Sequence, residues 1–231
     1  MTSPTTTVNS TRPTTFVEAP LATTATFVVA ALAVVILGVT QTMAAAAGAR
    51  AAGLLRQAET MPRGPERDRM LASAHAAAIG ALDLAPRDGE VRARAARALY
   101  LQATTATLNE ISTPLLDAAE REAHRAHIDS PANAGAPATL AMIAYARADG
   151  EPTPAMADLV GQSYASRARD AEAALWRTQA AAAAWPALPP GAKLAASDEA
   201  CALLAMAHTR ERAAPAARRM GDELGDCRKR K

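Results

Sequence analysis

The sequence predicts an all-α protein with one N-terminal transmembrane helix, followed by an array of antiparallel helical hairpins. Three observations favour this fold. Half of the residues are hydrophobic, but aromatic residues make up only 3%, and much of the apolar share is alanine, the strongest helix former. Residues 21–41 carry no charge. Beyond them, short helical segments alternate with turns that contain proline or glycine.

Residues 1–20 are rich in threonine, proline and serine, a composition that cannot form a core and predicts a disordered tail. The uncharged run 21–41 then matches the thickness of a bilayer, which takes about 20 residues of helix, and predicts a transmembrane helix in contact with lipid. A cleaved signal peptide is the alternative, because the small residues at 43–47 would suit a cleavage site. Against cleavage, the segment before the apolar run is long and weakly basic and contains Glu18.

After the span, the helical pattern continues without a clear break to Met61-Pro62, so residues 42–62 are expected to form a helical stalk. Residues 63–227 are expected to form the helical-hairpin domain, and residues 228–231 a basic tail. Within the domain, we expect Pro65, Thr113-Pro114 and Pro215 each to open a helix, and Asp88 and Ser197 each to cap one. Short helices joined by short turns predict antiparallel neighbours.

The two cysteines, Cys201 and Cys227, both lie near the end of the chain. A buried thiol would explain Cys201, which lies in an apolar helical stretch, but not Cys227, which lies in a polar tail. A disulfide explains both, and it would persist only in an oxidising compartment. Two unrelated thiols are the alternative.

The balance of arginines around the span does not fix its orientation. A short tail before a single span and the cysteine pair together favour the inner membrane, with the C-terminal domain in the periplasm.

The helical domain contains an internal repeat. The segments 74–86 and 119–131 align so that three alanines and a proline coincide: Ala74, Ala78, Ala81 and Pro86 fall on Ala119, Ala123, Ala126 and Pro131. Tyr100 falls on Tyr145 in the same register.

The stretch ALDLAPRDGEV, residues 81–91, resembles the end of the second helix and the turn of a tetratricopeptide repeat. The repeated alanines and prolines match the small residues and the helix-ending proline of that family. The units are longer than the family's 34 or so residues, and alanine replaces most of its aromatic positions. The resemblance implies a concave groove lined by Arg97, Tyr100, Met142 and Tyr145. Packing of the two tyrosines as ordinary core is the alternative.

A looser resemblance concerns residues 163–190, which contain Trp176 and Trp185. This segment is similar to one in small anchored helical proteins associated with bacterial polysaccharide assembly. The two tryptophans would otherwise anchor an alanine-rich core.

No nucleotide-binding, hydrolase or metalloprotease motif occurs in the sequence, so neither an enzyme nor a cofactor is predicted. Glu120, His124 and His127 are spaced to share a helix face, but they lie among charged residues, which favours a solvated surface over a metal site. The net charge of +2 argues against nucleic acid as a partner.

The sequence therefore predicts a membrane-anchored scaffold or adaptor that contacts other membrane or envelope proteins. Polysaccharide synthesis or export is the pathway we favour. The alternative is an anchored chaperone-like module that binds secreted or unfolded polypeptides. An apolar, aromatic groove would favour the chaperone, and a charged groove would favour a specific partner.

Overall fold

The structure is a computed structural model that describes residues 21–106, 109–166, 171–224 and 227. The predicted tail at 1–20 and the basic tail at 228–231 lie outside these residues. The described part of the chain forms helices and no strand, which confirms the all-α class. The α-helices are α1 (Leu21–Thr60), α2 (Pro65–Leu84), α3 (Gly89–Ala103), α4 (Asn109–Asp129), α5 (Gly135–Arg147), α6 (Pro154–Ser166), α7 (Ala171–Ala184), α8 (Pro190–Ala205) and α9 (Ala207–Met220).

The chain divides into two compact units, residues 1–39 and residues 40–231. In the first unit, α1 exposes a run of large apolar side chains that includes Phe27, Leu32 and Leu37. Within the described residues, the stretch from Thr26 to Thr60 is the one helix long and apolar enough to cross a membrane, by length and composition, with a mean hydropathy of 2.2 in its most apolar window. The predicted span at 21–41 falls largely on this apolar run.

The predicted stalk is helical as far as Thr60, and its second half is packed within the second unit. Ala51, Leu55 and Ala58 are buried, because their spacing of four and three residues places them on one helix face. Ala51 packs with α2 and α3, and Leu55 and Ala58 belong to the same core cluster as Leu71 of α2. Arg67 of α2 also donates a hydrogen bond from Nε to the Ala58 carbonyl at 3.1 Å.

Local sequence signals explain several helix ends. Pro65 occupies the first turn of α2, where its missing N–H would have no partner. The Asp88 carboxylate caps α3 by accepting hydrogen bonds from the backbone N–H groups of Glu90 and Val91, both at 3.0 Å. The Asn133 side chain does the same for the first turn of α5.

Three helix starts differ from the predictions. Helix α4 begins at Asn109, so Pro114 lies inside it. Helix α8 begins at Pro190, so Ser197 is buried within the helix and does not cap it. Helix α9 begins at Ala207 and includes Pro215, because burial of Ala213, Ala216, Ala217 and Met220 outweighs the backbone hydrogen bond that the proline removes.

The alanines of the internal repeat occupy equivalent places in the fold. All six are at most 2% exposed. Those of α2 pack with residues of α1 and α3, and those of α4 pack with residues of α3 and α5. Alanine at these positions lets neighbouring helices approach closely, so each of the two helices lies between two others.

A disulfide joins Cys201 of α8 to Cys227 in the structure, across 26 residues of chain. Cys201 and Cys227 pack against the same core cluster, which also contains Trp185 and Met220. The bond therefore ties the end of the described chain to the core of its last helices.

Helix α3 begins in close contact with the end of α4, and glycine is required there. A Cβ on Gly89 would lie 2.5 Å from Ser130 Cβ and 2.9 Å from the Ala126 carbonyl oxygen. We predict that Gly89→Ala lowers the free energy of unfolding by about 1–3 kcal/mol, because backbone or side chains must shift to relieve the overlap.

Gly80→Ala is the matched control, because nothing lies within 4 Å of a Cβ at this helical position. It should raise stability by about 0.5–1 kcal/mol through helix propensity. Thermal unfolding followed by far-UV circular dichroism measures both changes. Equal responses to the two substitutions would show that α3 and α4 are not in close contact.

Candidate functional site

The second unit contains a cavity of about 330 Å³. Its walls come from five regions: the second half of α1, α3, the start of α5, α7, and the segment that ends α8 and begins α9. Its volume lies at the lower end of the range for small-ligand sites, about 300–1,000 Å³. The charged lining comprises four arginines and two glutamates: Arg56, Glu59, Glu90, Arg94, Arg97 and Arg212.

The carboxylate of Glu59 lies between two of these arginines. Arg97 Nη2 is 2.6 Å from Glu59 Oε1, and Arg212 Nη2 donates a hydrogen bond to Glu59 Oε2, also at 2.6 Å. The Glu59 side chain is only 10% exposed, so these charges interact in a partly dehydrated environment. Glu59 is on α1 and Arg212 is on α9. This contact therefore joins two residues that are 153 positions apart in the sequence.

Trp176 forms an aromatic wall of the cavity, and three residues from helices α3 and α5 hold it in place. The Arg97 guanidinium carbon lies 4.6 Å from the centre of the indole ring, a cation–π contact. Tyr100 meets the ring edge-on, with centroids 5.3 Å apart. The indole N–H donates a hydrogen bond to Thr139 Oγ1 at 3.2 Å. Arg97 is therefore held by both Trp176 and Glu59.

The four residues predicted to line a groove lie in different environments. Arg97 lines the cavity, whereas Tyr100 is 5% exposed and packs behind Trp176. Met142 and Tyr145 are half-buried; both pack against the core of α6 to α9, and Met142 also packs against the cluster that contains Tyr100. The structure thus brings Arg97 and Tyr100 together on one tryptophan, and it places Tyr145 in a separate cluster.

Burial shifts the titration of Tyr100. It raises the pKa of its phenol from 10.0 to about 12, with a smaller contribution in the same direction from Tyr145 and an opposing one from Arg63. The neutral phenol is therefore the form that the folded protein accommodates.

A second polar cluster lies in the core formed by α6, α7 and α8. The guanidinium group of Arg177 is fully buried and forms an ion pair with Glu199. Tyr164 and Thr178 each donate a hydrogen bond to Glu199 Oε2, at 3.1 and 3.2 Å. The Arg177 guanidinium also lies 4.7 Å from the centre of the Tyr164 ring. Burial and the Glu199 carboxylate raise the pKa of Tyr164, so its phenol stays a hydrogen-bond donor.

Of the histidine candidates for a metal site on α4, His124 is exposed, whereas His127 is half-buried and its Nδ1 atom is buried without a hydrogen-bond partner among the described residues. His124 Nε2 is 4.0 Å from Glu120 Oε1, beyond hydrogen-bonding distance. Among the residues whose positions the structure describes, no three histidine, cysteine, aspartate or glutamate side chains are grouped to hold a metal ion.

Sequence reasoning missed Glu59 and Arg212 as site residues. Glu59 falls in the segment interpreted as a stalk, and Arg212 falls in a segment for which a later helix start was expected. The apolar face formed by Ala51, Leu55 and Ala58 was the available signal that this segment packs against other helices. Nothing local could have paired Glu59 with an arginine 153 residues away.

Comparison of the chain with protein-family profiles, with curated proteins and with solved structures finds no match.

The raised pKa of Tyr100 has a measurable consequence. In the unfolded chain the phenol ionises near pH 10, but in the folded protein only near pH 12. Stability from this group is therefore fully present below pH 10 and is lost as the pH rises towards 12. We predict that ionisation of Tyr100 lowers the free energy of unfolding by about 2 kcal/mol by pH 12. In Tyr100→Phe this free energy should fall less steeply as the pH rises. Urea unfolding at several pH values measures how the free energy of unfolding changes with pH in the wild type and in Tyr100→Phe. Identical slopes for the two proteins would mean that Tyr100 is not buried.

Proposed function

We propose that this chain is a membrane-anchored helical scaffold or adaptor that contacts specific proteins in a bacterial envelope assembly. The apolar run of α1 supports the anchor, because it has the length and composition of a membrane span. The equivalent burial of the repeated alanines in α2 and α4 supports a tetratricopeptide-like array of hairpins. In such an array, neighbouring helices present a shared surface to a partner.

The charged lining of the cavity is the observation that favours a specific partner. Arginine and glutamate side chains from α1, α3 and α9 lie on its walls, together with Trp176. Charged groups at an interface select partners of complementary charge and reject others. A module that captures many unfolded chains would instead need a broad apolar surface. The chaperone-like function stays the second candidate, since the larger part of the exposed cavity wall is apolar, with leucines and alanines beside Trp176.

We further propose that the anchor lies in the inner membrane and that the helical domain is periplasmic. The disulfide between Cys201 and Cys227 supports this orientation, because such bonds persist in oxidising compartments. The similarity of the tryptophan-containing segment to anchored proteins of polysaccharide assembly makes polysaccharide synthesis or export the pathway that we propose for the scaffold.

The disulfide gives a direct test of the compartment. We predict that Cys201 and Cys227 resist alkylation in native membranes until a reductant is added, as read by mass spectrometry of the alkylated protein. Cys201→Ser should lower the free energy of unfolding by about 3 kcal/mol, because the 26-residue loop is no longer closed. Two thiols that alkylate fully without reductant would place the domain in the cytoplasm.

Photo-crosslinking in intact cells distinguishes a specific partner from general capture. His208 is exposed and lines the cavity, so a benzoylphenylalanine in its place would contact whatever enters. We predict one discrete crosslinked product from this position. His124 is the matched control: it is also an exposed histidine, but it lies on α4 outside the cavity lining, so it should give no such product.

A ladder of many products from position 208 would instead support the chaperone-like function. The absence of any product from that position would contradict both functions at this cavity.

A further inference from the structure

Two guanidinium groups in the cavity already bind a carboxylate, and this carboxylate belongs to the chain itself. Arg97 and Arg212 converge on Glu59 from different helices, each with an Nη2 atom 2.6 Å from a carboxylate oxygen. The Arg212 contact is a charge-assisted hydrogen bond, one of the strongest polar interactions in proteins, whereas the Arg97 contact is an ion pair in which Glu59 Oε1 accepts no hydrogen bond from the residues that the structure describes. The geometry therefore suits a compact anionic group with two accessible oxygens.

The cavity also carries more positive than negative charge. Its four arginines and two glutamates sum to +2 with His208 neutral. Glu59 therefore offsets only part of the arginine charge on these walls. Walls of low dielectric constant strengthen the resulting field inside a cleft and attract anions from solution. The Trp176 ring limits water on one side of Arg97.

We propose that this cavity binds a carboxylate or phosphate group at Arg97 and Arg212, in the place that the Glu59 carboxylate occupies when no ligand is present. The proposal rests on the proposed function and specifies the chemistry that the partner-contact cavity recognises. Glu59 then acts as an internal competitor. An incoming anion must displace it, so affinity depends on how strongly Glu59 holds the two arginines.

Glu59→Gln separates this competition from a purely structural role. Glutamine keeps the size of the side chain but removes the negative charge that competes with a ligand for the two arginines. We expect this variant to bind anions about tenfold more tightly than the wild type, a difference of about 1.4 kcal/mol. Arg212→Gln should bind about tenfold more weakly, because it removes one of the two contacts.

The experiment uses the full chain in nanodiscs of zwitterionic lipid, with binding measured by isothermal titration calorimetry at low ionic strength. The probes are citrate, inorganic phosphate, an acetylated tetraglutamate peptide and the corresponding tetraglutamine peptide. Arg69→Gln is the matched control, because it removes the same charge from an exposed position outside this cavity and should leave affinity unchanged. Far-UV circular dichroism verifies that each variant is folded.

Binding of citrate or phosphate as tight as that of the tetraglutamate peptide would identify a small solute as the source of the anion. Preference for the tetraglutamate peptide over both small anions and tetraglutamine would identify an acidic polypeptide segment. Either result, with the expected order of the variants, supports the proposal.

The proposal is overturned if no anion binds the wild type or Glu59→Gln. It is also overturned if folded Glu59→Gln binds no more tightly than the wild type while folded Arg212→Gln binds no more weakly. These failures are distinguishable from failure of the proposed function. A discrete crosslink from position 208 without anion binding rejects only the anion site. Anion binding without any crosslink rejects only the scaffold function.

Discussion

The Glu59 carboxylate lies between Arg97 and Arg212, and the walls of the central cavity are arranged around this contact. Glu59 comes from the last turn of α1, Arg97 from α3 and Arg212 from α9. Arg97 in turn lies over Trp176, which also contacts Tyr100 and Thr139. One carboxylate thus links the first and last helices of the second unit to its aromatic centre. Removal of Glu59 would leave two guanidinium groups close together, and repulsion between them would loosen three helices at once.

The alanine-rich composition explains why so much depends on a few polar contacts. Alanine buries little surface, so each helix pair gains less hydrophobic free energy than a leucine-rich pair would. Close helix approach compensates in part, as where Gly89 meets the end of α4. Buried ion pairs such as Arg177–Glu199 add little net stability, but breaking one is strongly destabilising. The alanine faces of the helices are nearly alike, so they select their packing partners only weakly. We infer that the buried ion pairs determine which helices pack together.

The sequence predicted the elements of this fold better than it predicted their contacts. Helix class, the apolar run in α1, the capping role of Asp88 and the position of Pro65 follow from local chemistry. The predicted starts of α4, α8 and α9 were wrong; α8 and α9 begin before the expected residues because burial of their alanine faces extends them towards the N-terminus. Of the residues that line the cavity, Arg97 had been named as a groove residue that the resemblance to a tetratricopeptide repeat implies. Glu59 and Arg212 were not predicted, since their pairing depends on packing between residues 153 positions apart.

A double-mutant cycle between Glu59 and Arg212 tests this central contact most directly. The free energy of unfolding of the second unit would be measured by urea for the wild type, Glu59→Gln, Arg212→Gln and the double variant. The contact predicts a coupling energy of at least about 1 kcal/mol, since both side chains are partly buried and joined by a charge-assisted hydrogen bond. Additive effects of the two substitutions, with no coupling, would show that α1 and α9 do not meet through this pair and would contradict the arrangement of the cavity described above.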